Sequence, residues 1–224
     1  MNFPRIVLAS LVALLLGANA QAQIAVGADA GTTGAGLSVI VPMETYLNGR
    51  FGIHYFGASG NKRAGDVDYA TRSRLRHVDI LFDWFILDRS KFRLTGGVVY
   101  NASEIAATAK PGPDGKYIIN TQTFNAVDVG TLNGVVDFRK AAPYLGVGWG
   151  NPMARAKSWH MMADLGVMYQ GRGRATLASR GCVTSTLTCL LVLAHVSVDK
   201  HKFQQELDSY KFYPVARVGM AYTF

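Results

Sequence analysis

Apolar and polar residues alternate with a period of two along much of this chain. Val78, Ile80, Phe82, Trp84 and Ile86 are interleaved with His77, Asp79, Leu81, Asp83 and Phe85. Phe92, Leu94, Gly96, Val98 and Tyr100 are interleaved with Lys91, Arg93, Thr95, Gly97 and Val99. Trp159, Met161, Ala163, Leu165, Val167 and Tyr169 alternate with Ser158, His160, Met162, Asp164, Gly166 and Met168. The last stretch sets Phe212, Ala216, Val218, Met220, Tyr222 and Phe224 against Tyr213, Val215, Arg217, Gly219, Ala221 and Thr223. Successive side chains of a β-strand point to opposite faces, so this spacing predicts strands with one apolar face and one small or polar face. Shorter stretches of the same kind fall at 51–55 and 145–149, with weaker ones at 24–28 and 37–41. Eight strands result. Residues 117–137 also alternate, and an added hairpin there would make ten.

A soluble barrel would alternate identically, so other features must decide what the apolar face meets. Aromatic residues sit near the ends of the apolar faces: Trp84, Phe92, Tyr100, Trp149, Trp159, Tyr169, Phe212, Tyr222 and Phe224. Ten residues at roughly 3.3 Å each, tilted by ~40°, span about 25 Å, the height of the apolar band of a transmembrane barrel. The opposite face is rich in glycine and short side chains rather than in the long Lys and Glu of a solvated exterior. The connections also alternate in length. Segments 43–48, 87–90 and 151–157 are short, whereas 57–72, 102–142 and 171–209 are long. The expected fold is therefore all-β: a transmembrane, antiparallel, up-and-down β-barrel with both termini on the side of the short turns.

The first residues carry a different signal. Arg5 precedes a short apolar run at 6–16, and Ala18-Asn19-Ala20 and Ala20-Gln21-Ala22 both fit a small-residue cleavage site. The run is about half the ~20 residues that an uncleaved membrane anchor needs. The expected organisation is a cleaved signal peptide at 1–22 and one barrel domain over 23–224. The net charge of +8, with a pI near 9.6, calls for acidic surroundings. In an exported membrane protein those are lipid phosphates rather than nucleic acid.

The resemblance to known proteins is carried by several motifs. The terminal strand closing on Phe224 resembles the last strand of bacterial outer-membrane β-barrels. Leu81-Phe82-Asp83-Trp84, Lys91-Phe92-Arg93-Leu94-Thr95-Gly96-Gly97 and Tyr100-Asn101 resemble a family of small proteobacterial outer-membrane barrels. So do Ala142-Pro143-Tyr144-Leu145-Gly146-Val147-Gly148-Trp149-Gly150 and the ending that starts at Phe212-Tyr213-Pro214. The resemblance implies an eight-stranded barrel, broadly like the OmpA membrane domain, in the outer membrane of a Gram-negative bacterium. It implies lipopolysaccharide and other outer-membrane lipids as surroundings, and barrel-assembly machinery as a partner of the strand ending in Phe224. It carries no established activity, so no catalytic residue is transferred.

Candidate chemistry lies on the polar faces. Arg50, His77, Asp79, Asp83, Arg93, His160, Asp164 and Arg217 all point inward in this pattern. An eight-stranded barrel is just wide enough for its own side chains to fill it, so these charges are expected to pair as a plug, with a narrow solute pore as the alternative. A lipid-modifying enzyme would need a His, a Ser and a carboxylate converging at one rim. His54, His77, His195 and His201 are the candidates, with Ser197 and Asp199 nearby in sequence, and no G-x-S-x-G motif is present. The expectation is a non-enzymatic monomer without a cofactor or metal. Cys182 and Cys189 read as a loop disulfide in an oxidising compartment, their spacing being wide for zinc. Phe203 and Leu207, four apart among polar residues, predict a short helix in the last long loop. Lys62, Arg63, Arg72, Arg74, Arg76, Lys110, Lys116, Arg172, Arg174 and Arg180 cluster in or beside the long loops, where contact with lipopolysaccharide head groups is the expected use.

Overall fold

The computed structural model describes residues 23–64, 67–86, 91–119, 122–180 and 211–224. In chain order, β1 (Ala25–Gly31), β2 (Gly34–Glu44), β3 (Leu47–Ala64), β4 (Val67–Phe85) and β5 (Phe92–Asn101) come first. There follow β6 (Glu104–Lys110), β7 (Lys116–Ile119), β8 (Gln122–Asn125), the one-turn helix α1 (Ala126–Val129) and β9 (Thr131–Asp137). β10 (Ala141–Trp149), a 3-10 turn at Pro152–Ala154, β11 (Ser158–Tyr169), β12 (Arg174–Arg180) and β13 (Phe212–Thr223) complete the order.

β1 to β5 pair in sequence, β5 with β10, β10 with β11, β11 with β13, and β13 returns to β1, every pair antiparallel. Eight strands thus close a ring. Along each of them the period-two pattern becomes inside and outside: Arg93, Thr95 and Val99 are buried while Val98 and Tyr100 between and beyond them are exposed. From Glu44, at the rim where β2 ends, up to Tyr55 on β3 and Val78 on β4, no other outward position of the ring carries a charged side chain. Burying that face in water-excluding surroundings costs nothing in unpaired charge, and leaving it in water would expose one continuous apolar belt.

The chain seam is closed by a full ladder, from Ala25 opposite Thr223 to Gly31 opposite Arg217, and Phe224 N–H donates to the Ile24 carbonyl at 3.0 Å. The β1–β2 turn is tight. Gly34, at φ 95°, takes the left-handed conformation the reversal requires. Thr32 pins the turn to β13: its N–H donates to the Ala216 carbonyl at 2.9 Å, and its carbonyl accepts the Tyr213 hydroxyl at 2.6 Å.

Two of the segments expected to be loops are built differently. Residues 57–72 continue β3 and β4 as a paired hairpin, Gly57 opposite Arg74 out to Ala64 opposite Val67. Residues 102–142 supply β6 to β9 and the start of β10. Beyond the ring the sheet runs on as β3-β4-β6-β9-β12, because β4 changes partner: Phe85 to His77 pair with β5, and Arg74 to Asp68 with β6. The ladder already formed in the barrel wall templates these strands, although both of their faces lack the clean alternation of the ring. The stretch 117–137 does not enlarge the barrel to ten strands. It forms the separate hairpin β7–β8, helix α1 and β9, with Tyr117 and Val129 buried against Ala109 and packed by Tyr69, Phe124 and Leu132. The signal segment 1–22, the cysteine pair and the helix expected around Phe203 lie outside the described residues.

Candidate functional site

The lumen of the ring holds the densest polar cluster among the described residues. It begins with β3 and β11, which bring Arg50 and Asp164 face to face across the barrel. Arg50 donates through Nη1 and Nη2 to the two oxygens of Asp164 at 2.8 and 3.0 Å, a fork-to-fork pair, and Nη2 also reaches Asp83 at 3.1 Å. From β5, Arg93 donates to Asp164 at 2.8 Å and to the Gly150 carbonyl, and its Nε lies 3.2 Å from Asp83. Thr95 donates its hydroxyl to Asp83 at 2.6 Å. Two guanidiniums and two carboxylates thus neutralise one another. Planar, forked guanidinium donors suit this task in a way that a point-like ammonium does not.

A second group adjoins the first, since Arg217 on β13 lies opposite Asp164 in the ladder. Arg217 donates to Asp79 through Nη1 and to the Thr33 hydroxyl through Nε at 2.9 Å. His54 sits between two carboxylates, its Nε2 2.9 Å from Asp29 and its Nδ1 3.4 Å from Asp79. Arg93 is 0 % and Asp79 1 % exposed, so no water-wide path runs beside them.

Apolar clusters adjoin the charges, and Leu81 stands between Asp79 and Asp83 on β4. Towards the termini lie Ala25, Ile40, Met162 and Ala221, and a second cluster, Leu81, Val99, Ala142, Tyr144, Met168 and Val215, reaches from the level of Arg50 and Asp79 towards the far end. Room for the large inward side chains comes from inward glycines. A methyl group at Gly148 would sit 2.7 Å from Arg93 Cζ, one at Gly36 would overlap the His54 ring, and one at Gly166 would meet the Tyr144 hydroxyl. Gly150, at φ 108°, turns the chain out of β10, and its carbonyl is the one that accepts Arg93.

Of the inward residues singled out from sequence, Arg50, Asp79, Asp83, Arg93, Asp164 and Arg217 meet in these two groups. His77 lies beside them but bonds elsewhere, to the Ser103 hydroxyl at 3.2 Å. His160 stands apart near the termini, with Ser158 at 2.8 Å and the Arg155 carbonyl at 3.1 Å. Asp29, Thr33, Thr95 and Gly150 belong to the site and are not singled out by the sequence, because which strand lies opposite which is not written in any one strand. For Asp29 and Thr95 the available signal is inward parity alone.

The His77–Ser103 pair is the one place in the barrel wall where the described residues join a buried hydroxyl to a buried imidazole in the manner of a nucleophile and base. His77 Nδ1 has no partner, so no carboxylate orients the ring. Among the described residues no three His, Cys, Asp or Glu side chains are grouped to hold a metal ion.

The expected aromatic residues are on the outer face. At the end with the termini the rings of Trp159 and Tyr222 meet at a tilt with centres 5.2 Å apart, Tyr222 and Phe224 meet edge to face at 5.0 Å, and Trp84, Phe92 and Trp149 join them there. Tyr169 and Phe212 lie 5.3 Å apart at the other end, where Tyr100 is also exposed.

No protein-family model matches the chain, and no curated protein sequence does. Solved structures do. CarO2 of Acinetobacter baumannii aligns with a TM-score of 0.56 and 19% identity, covering 91% of this chain and 100% of that one. CarO of Acinetobacter baumannii aligns with a TM-score of 0.54 and 19% identity, covering 89% of this chain and 97% of that one. A major outer membrane protein from Thermus thermophilus aligns with a TM-score of 0.47 and 16% identity over 91% of this chain and 100% of that one. The likeness to the two Acinetobacter proteins runs through nearly the whole of each chain, and what it shows is a shared antiparallel β-barrel fold.

Proposed function

We propose that this chain is an integral protein of the bacterial outer membrane, exported with a cleaved signal peptide, whose barrel is filled and neither conducts nor catalyses. Its role in this reading is structural or surface-binding, with the sheet that rises beyond the barrel presented to the exterior. The observation that carries the proposal is the contrast between the two faces of the ring. Above Glu44 at the rim the outer face has no charged residue up to Tyr55 and Val78, and the inner face is occupied by buried ion-paired groups packed among apolar side chains. Lipid outside and a packed plug inside are the physical conditions under which those two faces coexist.

The partners follow from the same reading: lipopolysaccharide around the long-sheet end, and the barrel-assembly machinery at the terminal strand. The protein acts as a monomer. Planar-bilayer recording tests the plug. The folded protein should give no steady conductance, because buried Arg50, Arg93 and Arg217 hold their carboxylates across the lumen. Steady, ion-selective current from the wild-type protein would replace the plug with a narrow pore.

A further inference from the structure

One strand carries both an apolar column and a basic ladder. Outward along β4, from the end with the termini, stand Trp84, Phe82, Ile80 and Val78, and then, with no change of face, Arg76, Arg74 and Arg72. We infer that Arg72, Arg74 and Arg76 form a binding site for the phosphate of a lipid head group, whose acyl chains lie along Val78 and the outward residues beside it, Ile53 and Tyr100. This rests on the outer-membrane reading given above.

Three observations support it. The interior arginines are all ion-paired, whereas the guanidiniums of Arg72, Arg74 and Arg76 make no ion pair among the described residues. Glu104 stands opposite Arg74 in the ladder, yet no ion pair joins them. On the β3 side the outward neighbours of Arg74 and Arg72 are small, Gly57 and Ser59, and Ala106 lies opposite Arg72 on the other side, so Glu104 is the one charged residue directly opposite the ladder. Low neighbours leave the guanidinium forks open to a ligand lying against the sheet.

The third is position. Arg76 is the first charged outward residue above the apolar belt and lies opposite Tyr55, the last aromatic residue of that belt on β3. A head group sits at this boundary while its chains stay in the apolar layer, so one ligand meets both halves of the strand. Phosphate is the anion that fits forked donors on alternate residues, each pair roughly 7 Å apart along the strand. A soluble anion would satisfy the arginines and leave the column below unused.

The test uses the full-length folded protein in a neutral detergent. Binding is measured by native mass spectrometry with three probes: hexa-acylated lipid A, the same lipid with its phosphates removed, and inorganic phosphate as competitor. Lipid A should bind at least tenfold more tightly than its dephosphorylated form. Arg72→Gln, Arg74→Gln and Arg76→Gln should each weaken lipid A by about fivefold, and the triple variant by on the order of a hundredfold. Arg155→Gln, an exposed arginine at the opposite end, should change nothing.

Wild-type affinity in the triple variant, equal binding of the dephosphorylated lipid, or displacement of lipid A by equimolar inorganic phosphate would each overturn the inference. Heat-modifiable gel migration checks that the variants are folded, and the single variants carry the test if the triple one is not. Membrane fractionation of the wild-type protein is read separately. Its absence from the outer membrane would overturn the location and this inference with it, whereas outer-membrane residence without phosphate-dependent binding would overturn this inference alone.

Discussion

At the scale of single residues, the lumen is a problem in charge solvation. Each buried carboxylate and guanidinium gives up several kcal/mol of hydration, and the loss is recovered only where geometry is close and remaining donors and acceptors are filled. Asp164 shows how this is met: it takes both arms of Arg50 and one of Arg93, while Arg93 places its other arm on Gly150. Asp164→Ala should therefore do more than delete one bond. It leaves two buried guanidiniums sharing Asp83 alone, and should destabilise the folded barrel by about 3–5 kcal/mol. Reversible urea unfolding in lipid vesicles measures this, and a loss below about 1 kcal/mol would show that the pair is hydrated rather than buried. The acids and arginines of this layer were legible in the sequence, since a charge at an inward position of so narrow a barrel needs a partner. Who pairs with whom was not, because Arg50 and Asp164 are 114 residues apart and are brought together only by the ring.

At the scale of the strand, parity was enough where the two faces differ sharply in polarity and failed where they do not. All eight ring strands fall on the alternating stretches, because a one-residue slip would turn Asp164 or Arg217 outward. The continuations of β3 and β4 read as loops, since Gly57, Ser59, Gly60, Asn61 and Lys62 offer no apolar face. Their pairing is inherited from the wall below. The same logic distinguishes neighbouring substitutions on β11. Leu165 is 63 % exposed on the outer face, and Leu165→Arg should cost about 2–4 kcal/mol if that position lies near the bilayer midplane. Gly166→Arg, which sequence alone would make the milder change, should be no better tolerated, because a side chain there collides with the Tyr144 hydroxyl and an adjacent backbone carbonyl. Unfolding measurements that found Leu165→Arg harmless would reverse the assignment of the two faces.

For the whole molecule, the decisive event is closure of the first strand on the last. Their ladder joins residues nearly two hundred positions apart, and a barrel whose seam is open leaves a row of backbone groups unpaired along two strand edges. Phe224 lies at the end of that seam. Its N–H donates to the Ile24 carbonyl at 3.0 Å, and its ring meets Tyr222, which in turn meets Trp159 on the neighbouring strand. Deleting Phe224 removes the last rung of the closing ladder and one member of the aromatic band at that end. The ladder from Ala25 to Gly31 remains, so the folded product should still exist, but it should form more slowly and in lower yield. Unboiled and boiled samples compared on a gel over a refolding time course would show a smaller, later heat-modifiable fraction, with Phe224→Tyr close to wild type. Assembly of the deletion at the wild-type rate, in vesicles and in cells alike, would mean that the β1–β13 ladder closes the barrel without help from its terminal aromatic residue.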